Sequence, residues 1–407
     1  MLRAVRTVSE AIAEILRRIE PTDAVEEVRL ESAGQRVLAR DVRSDVDLPP
    51  FEKSAMDGYA VRSPDFASGP RSLALVGESR AGAPFRGTIA SGECVAIYTG
   101  AELPSDCDAV VMVEKSMLDG ARVRLDDAPK RDQHVCHRGE DLRDGEVVLH
   151  AGRRLTPIDL SVLAAVGCEP VPVRKRPRVA LLTTGDELVP PNVKPGPGEI
   201  REGNTFYLAA RARAAGAEVV NWGVVRDDEA ALEQKFRELL ETCDVVMTTG
   251  GVSMGKYDLV GAVLERVGVE NVFHKVAIKP GKPLWFGMHG RVPVFALPGN
   301  PVSCLIGFEV FVRPALAKWE GALEHEWTDR LRIGRWRGAP TKGNPRQQNV
   351  PVRVVQAADG IDDLIPLEWK SSADIVGLTH AQGLAVVEAD MLVTERTLVP
   401  FRSLISN

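Results

Sequence analysis

Four apolar runs that end in glycine, threonine or proline turns constrain this chain more than any other feature. Residues 179–184 run into Gly185-Asp-Glu-Leu188, and residues 245–249 run into Gly250-Gly-Val-Ser-Met-Gly-Lys-Tyr-Asp258. The other two are Val276-Ala-Ile-Lys-Pro-Gly-Lys-Pro283 and Val294-Phe-Ala-Leu-Pro-Gly-Asn-Pro-Val-Ser303. Apolar strands without polar alternation belong to a sheet covered on both faces, as in α/β proteins. Ligands of such sheets bind beyond the carboxyl ends of the strands. Here those ends carry Gly, Ser, Thr, Asn, two Lys and several Asp and Glu. That mixture suits an anionic, phosphate-bearing ligand and a hard metal ion.

Composition narrows the class. At 407 residues the chain exceeds what one core holds, so two to four domains are expected. A hydrophobic share of 44% and a charged share of 27% are ordinary for a globular enzyme. A net charge of -6 argues against general nucleic-acid binding while allowing a local basic pocket. The 6 Cys form no CxxC pair, which favours a reducing compartment and structural thiols. No apolar run approaches the ~20 residues that cross a bilayer. The basic start at Met1–Arg6 has no signal-peptide core, because Glu10 and Glu14 interrupt it. A cytoplasmic location is expected.

Along the chain, residues 8–19 read as an amphipathic helix with Ser9 as cap and Ile12, Ile15, Leu16 and Ile19 on one stripe. Pro49-Pro50 marks a break, and the short alternating stretches from there to about 135 read as a mostly β insert. Val147-Val-Leu149 is a short β segment. Thr156 caps the next helix, Pro157 opens it and Gly167 stops it. Arg174-Lys-Arg-Pro-Arg178 reads as a linker. Strands are expected over 178–184, 218–225, 243–249, 271–279, 284–288 and 292–297, with helices near 203–215, 229–241, 257–267 and 301–318. That alternation implies right-handed crossovers and a mainly parallel, covered sheet. Short strands beyond 327 fit a small β-barrel or sandwich.

Several constellations could carry chemistry. Gly250-x4-Gly255-Lys256 is close to a P-loop, but Tyr257 stands where a Ser or Thr hydroxyl would hold magnesium. A phosphate loop of another kind and a plain tight turn both remain open. Lys279 and Lys282 sit on a turn stiffened by Pro280 and Pro283, so two cations are presented at low conformational cost to a small dianion; a solvated hairpin is the bland alternative. Asn300 as cap, Pro301 at the first helical position and Ser303 in the first turn make either an anion site or ordinary capping. Asp186, Glu187, Asp227, Asp228 and Asp258 follow strands, and each alone reads as a cap or turn former. Together they suggest a magnesium site. His134, Cys136 and His137 lie too close together in sequence to close a tetrahedral zinc site.

The motifs together resemble the molybdopterin molybdenumtransferase family, to which the gephyrin E-domain is similar. They are Ser54-Ala-Met-Asp57-Gly-Tyr-Ala60, Tyr98-Thr99-Gly-Ala101, Arg138-Gly-Glu-Asp141, Thr184-Gly-Asp-Glu-Leu188, the loop from Gly250 to Asp258, Lys279-Pro-Gly-Lys-Pro283, and Pro298-Gly-Asn-Pro-Val-Ser303. The resemblance implies an elongated split N-terminal domain (1–46 and 138–176) and a β-rich insert (47–137). It also implies a three-layer molybdopterin-binding α/β domain (177–326) and a C-terminal β-barrel (327–407). A homodimer follows, with its cleft between the α/β domain of one subunit and the insert of the other. The implied enzyme takes adenylylated molybdopterin and molybdate, inserts molybdenum at the dithiolene and releases AMP with Mg2+.

By the same resemblance, Lys279, Lys282 and Ser303 hold molybdate, with Arg346 and Ser372 completing the pocket. Asp186, Asp227 and Asp258 hold magnesium, and Glu187 stands beside them among the catalytic carboxylates. Gly250, Gly251 and Ser253 cradle the pterin phosphate, and Pro298, Gly299 and Asn300 belong to the same binding surface. Asp57, Thr99 and Asp141 act from the insert side. Two positions depart from the family pattern: Cys136-His137 replaces an arginine-rich run, and no aromatic residue follows Arg346. Ser371 also stands where a glycine is usual. Implied partners are the molybdopterin adenylyltransferase and cofactor-accepting apoenzymes, with no nucleic acid and no membrane. Adenylylation of molybdopterin by ATP, or a scaffold role on the same fold, are the rival readings.

Overall fold

The computed structural model describes residues 5–69, 71–251, 259–328 and 331–404. Burial on both faces builds its central sheet. Along the strand Arg178–Thr184, Val179 and Leu181 join one apolar core while Ala180 and Leu182 join the other. The first core is completed by Leu208, Ala209 and Ala212 of helix Asn204–Ala214 and by residues 302–316. The second is completed by Leu232, Phe236 and Leu239 of helix Glu229–Thr242 and by Val260 and Val263 of helix Leu259–Arg266. Each large side chain so buried contributes roughly 1.5–3 kcal/mol. Three layers result, as the unbroken apolar runs imply.

The sheet order is Glu218–Val225, Arg178–Thr184, Val245–Thr249, Val292–Leu297, Trp285–His289, Glu270–His274. The first four strands are parallel, and the last two are antiparallel to their neighbours. From Arg178–Thr184 the chain moves outward through one helix layer to Glu218–Val225. It then returns through the other layer and enters Val245–Thr249 on the far side of the first strand. Connections therefore diverge between Arg178–Thr184 and Val245–Thr249, and that is where an open α/β sheet leaves a crevice.

The expected strand over 271–279 is two pieces. Glu270–His274 stays in the sheet, whereas Ile278–Lys279 pairs in parallel with Gln347 and Gln348 of the C-terminal unit. That unit is a closed barrel of Arg332–Trp336, Asp362–Pro366, Gln347–Val355, Gly383–Val387 and Leu398–Ser403. Val352, Leu364, Val387, Val399 and Phe401 fill it. Closure removes exposed sheet edges and settles the choice between barrel and sandwich. Asp362–Pro366, opening on two aspartates, carries no sequence signal strong enough to announce a strand.

N-terminal to the sheet, Val25–Val28 pairs with Val171–Arg174, Val42–Arg43 with Val147–Leu149, and Lys53–Ser54 with Val135–Cys136. The chain thus leaves this unit and returns to it around a six-stranded sheet made of segments between Gly58 and Leu125. Helix Val8–Arg18 is capped by Thr7, not by Ser9: Thr7 Oγ1 accepts the Glu10 N–H at 3.2 Å while the Glu10 carboxylate accepts the Thr7 N–H at 2.9 Å. Reciprocal bonding of two orphan donors outcompetes a lone serine one position later. Thr156 and Asp159 make the same capping box behind Pro157, as expected for Thr156. Among the described residues, no helix is long and apolar enough to cross a membrane.

Arg154 of the N-terminal unit reaches Glu320 at 2.7 Å and Glu326 at 2.8 Å, beyond the end of the α/β helices. Glu320 is 2% exposed. Removing one partner of such a pair leaves a charge buried without compensation. Arg154→Ala is therefore expected to destabilise the protein by roughly 3–5 kcal/mol in chemical denaturation, well beyond an exposed control such as Arg29→Ala.

Candidate functional site

A cavity of about 820 Å³ opens at the carboxyl ends of the four parallel strands. Its lining includes Thr184, Gly185 and Glu187 after the first strand, and Asp227 after Glu218–Val225. Gly250 and Gly251 follow Val245–Thr249, and Pro298, Gly299 and Asn300 follow Val292–Leu297. Four loops far apart in sequence meet because parallel strands point their ends the same way.

Two glycines make the meeting possible. Gly250 has φ +93°, and a Cβ there would overlap the Thr184 carbonyl oxygen. Gly251 has φ +61°, and its Cβ would come within 2.6 Å of Val260 Cγ2. Only glycine meets both demands. Gly299 packs against the Gly250 backbone, with 3.5 Å from its Cβ direction to Gly250 Cα. The P-loop alternatives extend through Ser253 to Asp258, and Ser253 and Asp258 lie outside the described residues.

Asn204, which sequence reasoning missed, ties these loops together. Its Nδ2 donates to Gly299 O at 2.7 Å and to Thr249 Oγ1 at 3.2 Å, and Thr249 Oγ1 donates onward to Pro298 O at 3.3 Å. Glu202 and Tyr207 of the same stretch also line the cavity and were likewise missed. A polar residue opening a helix beside a strand end was the available signal.

The carboxylates gather on one side. Asp227 N–H faces Asp186 Oδ1 at 3.4 Å, and Glu187 is part of the lining. Burial, then the negative charges of Asp186 and Glu187, push the Asp227 carboxyl above its ordinary range. Thr184 opposes part of that rise. Its Oγ1 is buried, and among the described residues no group meets it in normal hydrogen-bonding geometry. Asp228 is a helix cap, accepting the Ala231 N–H at 2.8 Å. Among the described residues, no three His, Cys, Asp or Glu side chains converge to cage a cation by themselves. The oxygen donors of Asp186, Glu187 and Asp227, with the orphaned Thr184 hydroxyl, still fit magnesium, which takes one or two carboxylates and leaves positions for phosphate and water.

The residues expected to hold molybdate lie beside this cavity and outside its lining: none of Lys279, Lys282, Ser303, Arg346 and Ser372 lines it. Gly281, between Lys279 and Lys282, packs on Ser303, whose Cβ lies 4.0 Å from the Gly281 Cβ direction. Arg346 Nη1 donates at 3.3 Å to the carbonyl of Ile278, the residue before Lys279. Ser372 Oγ accepts from Asn300 Nδ2 at 2.8 Å, and Ser372 O accepts the Val302 N–H at 3.0 Å. Asn300 stands at the cap position as expected, but its side chain bonds the barrel instead of the helix. Pro301 does open the helix. Pro283, Pro301 and Ala373, each next to one of these polar residues in sequence or one step away, line the cavity itself.

Asp57, Thr99 and Asp141 do not join the lining. Asp57 Oδ1 accepts the Thr99 N–H at 2.7 Å and the Thr99 hydroxyl at 2.8 Å, and those two bonds hold its carboxyl below the usual range. Asp141 is exposed, its N–H donating to Leu48 O at 3.0 Å.

Comparison with known proteins decides the family. Residues 6–167 match the MoeA N-terminal region (domain I and II), and residues 180–318 match a probable molybdopterin binding domain. A molybdopterin molybdenumtransferase of Haemophilus influenzae is 38% identical over 322 residues, covering 79% of this chain and 79% of that protein. Its counterpart in Staphylococcus aureus strain Mu50 is 32% identical over 384 residues, covering 93% and 91%. The chain belongs to the molybdopterin molybdenumtransferase family. A crystal structure of the molybdopterin biosynthesis moea protein from Pyrococcus horikosii superposes with a TM-score of 0.84 at 30% identity, covering 99% of this chain and 100% of that one. The fold of that protein is thus shared from end to end.

The raised Asp227 carboxyl gives a pH signature. The native protein keeps this proton to higher pH than the unfolded chain, so its stabilising contribution is complete at acid pH and fades as pH rises through the raised value. Asp227→Asn is expected to raise the melting temperature at about pH 7, with the gain vanishing near about pH 3.5. Thermal unfolding across that range, at low ionic strength and without divalent cations, measures it.

Proposed function

We propose that this chain is a molybdopterin molybdenumtransferase that inserts molybdenum from molybdate into adenylylated molybdopterin and releases AMP. One observation carries the reading: Glu187 and Asp227 line the cavity at the carboxyl ends of the parallel strands, and so do Pro283, Pro301 and Ala373, from the segments that bear Lys282, Ser303 and Ser372. A substrate with a phosphoanhydride at one end and an oxyanion-accepting dithiolene at the other needs that division of charge. Soft sulfur ligands for molybdenum come with the pterin, so no cysteine cluster is required.

Lys279, Lys282 and Ser303 bind the molybdate dianion, with Arg346 and Ser372 closing the pocket from the barrel. The Gly250 and Gly251 backbone, with Ser253, takes the pterin phosphate, since glycine lets the chain approach it closely. Pro298, Gly299 and Asn300 continue the same wall beside Gly250. Asp186, Asp227 and Asp258 would hold Mg2+, with Glu187 beside them. When bound, the ion offsets charge developing on the leaving phosphate. Asp57, Thr99 and Asp141 lie off the cavity within one chain, which supports a homodimer whose partner insert completes the cleft. We also propose the four-domain division at 47, 138, 177 and 327, supported by the pairing of Val25–Val28 with Val171–Arg174 across the insert. Supply of substrate by a molybdopterin adenylyltransferase, delivery to apoenzymes and a cytoplasmic location complete the proposal.

Incubating the protein with adenylylated molybdopterin, Mg2+ and molybdate, and following AMP, tests it. Molybdate-dependent AMP release is the expected outcome. Adenylylation of molybdopterin from ATP would instead make the protein an adenylyltransferase, and neither reaction would leave a scaffold. Within the assay, Asp227→Asn is expected to slow turnover by about 10²-fold or more with the molybdate KM little changed. Lys279→Met should do the reverse, raising the molybdate KM by roughly tenfold or more. Equal losses in both parameters for both variants would contradict the separation of roles.

A further inference from the structure

Glu202 precedes helix Asn204–Ala214, lines the cavity and is only 6% exposed. Its Oε1 accepts the Thr205 N–H at 2.8 Å. Among the described residues no cation pairs with it and no group donates to its Oε2. A carboxylate this buried is normally paired or fully hydrogen-bonded, because removing an ion from water is costly. Two residues on, Asn204 commits its Nδ2 to Gly299 O and Thr249 Oγ1, so its Oδ1 remains as an acceptor. One turn later the Tyr207 hydroxyl donates to the buried Glu309 at 3.3 Å. Arg201 also lines the cavity, its Nε donating to Val193 O at 2.9 Å, while Glu202, Asn204 and Tyr207 themselves offer acceptors and have spent their donors.

The complement of such a wall is a flat ligand edge with adjacent N–H donors. A pterin has that edge: its 2-amino group and N3–H lie side by side and match the two oxygens of one carboxylate, a charge-assisted bidentate pair. Oε1 keeps a second lone pair free for it, since a carboxylate oxygen accepts more than one bond. The adenine edge alternates a donor amino group with the N1 acceptor, whose lone pair would face the carboxylate. We propose that Glu202 binds the 2-amino and N3–H edge of the pterin and selects the pterin over the adenine half of the substrate for this part of the cavity. This rests on the functional reading above, in that a pterin enters the cavity at all.

The test compares free pterin with lumazine, which carries a carbonyl in place of the 2-amino group, by fluorescence titration of the full-length protein. Wild type is expected to bind pterin at least about tenfold more tightly than lumazine. Glu202→Gln keeps the size and can still accept the Thr205 N–H, so it should fold normally. It should weaken pterin binding about tenfold and bring the two ligands within about twofold of each other. In turnover it should raise the KM for adenylylated molybdopterin while kcat and the molybdate KM hold. A wild type that does not prefer pterin, a Glu202→Gln variant with the wild-type preference, or a loss in kcat with KM unchanged would each overturn the assignment. Where wild type still releases AMP on adding molybdate, those results remove the Glu202 role alone. Absence of that release removes the functional reading with it.

Discussion

There is no room for a Cβ at Gly250, and the whole site depends on that. The end of Val245–Thr249 lies against the Thr184 carbonyl on one side and against Gly299 on the other. Three strand ends are thereby held at backbone contact, closer than any side chain would allow. The switch in connection direction between Arg178–Thr184 and Val245–Thr249 opens a crevice at the same place. Asn204 then fixes its width by hydrogen bonds to two of the three loops. Position, closeness and spacing of the cavity thus come from sheet topology, two glycines and one amide.

Much of this was readable in advance because its cause is local. Unbroken apolar runs imply a sheet covered on both faces, and Val179 and Ala180 do point into different cores. Thr156-Pro157 announces a helix start because a cap and a fixed φ act within one turn. What failed to show in the sequence depends on partners far along the chain. Ile278–Lys279 looked like the tail of a sheet strand, yet it pairs with Gln347 and Gln348, some seventy residues on. Asn300 has the residue type of a cap, but Ser372 competes for its amide and wins. Glu202, Asn204 and Tyr207 lie in a stretch whose composition resembles any helix entrance. Only the fold puts them on a cavity wall.

The site also explains why the C-terminal barrel is joined where it is. Ile278–Lys279 adds to a barrel strand, Arg346 bonds the Ile278 carbonyl, and Ser372 bonds both the Asn300 side chain and the Val302 N–H. Each of these contacts falls within three residues of a cationic or hydroxyl group proposed to hold the oxyanion. A barrel that moved away from the α/β unit would pull Arg346 and Ser372 from Lys279 and Ser303. The proposed oxyanion binding and domain docking are therefore linked, because the same backbone segments would serve both.

Beneath the cavity lies a charge arrangement that would be costly without a purpose. Glu309 is fully buried within a π-helical turn, Phe308–Val312, where it meets Arg211 at 2.6 Å and the Tyr207 hydroxyl. Wider turns of this kind recur at functional sites because they redirect a side chain without ending the helix. Burial, then the negative charge of Glu309, drives the Tyr207 hydroxyl far above its ordinary range, so the phenol keeps its proton at any relevant pH. Tyr207 is consequently a neutral donor tied at its tip, and its ring stands as a fixed part of the wall. A hydrophobic replacement for the ion pair could be as stable, but it would leave that ring free to turn. Rigidity of this wall is what the buried pair supplies, and the flat ring proposed for the cavity would be held in one orientation by it.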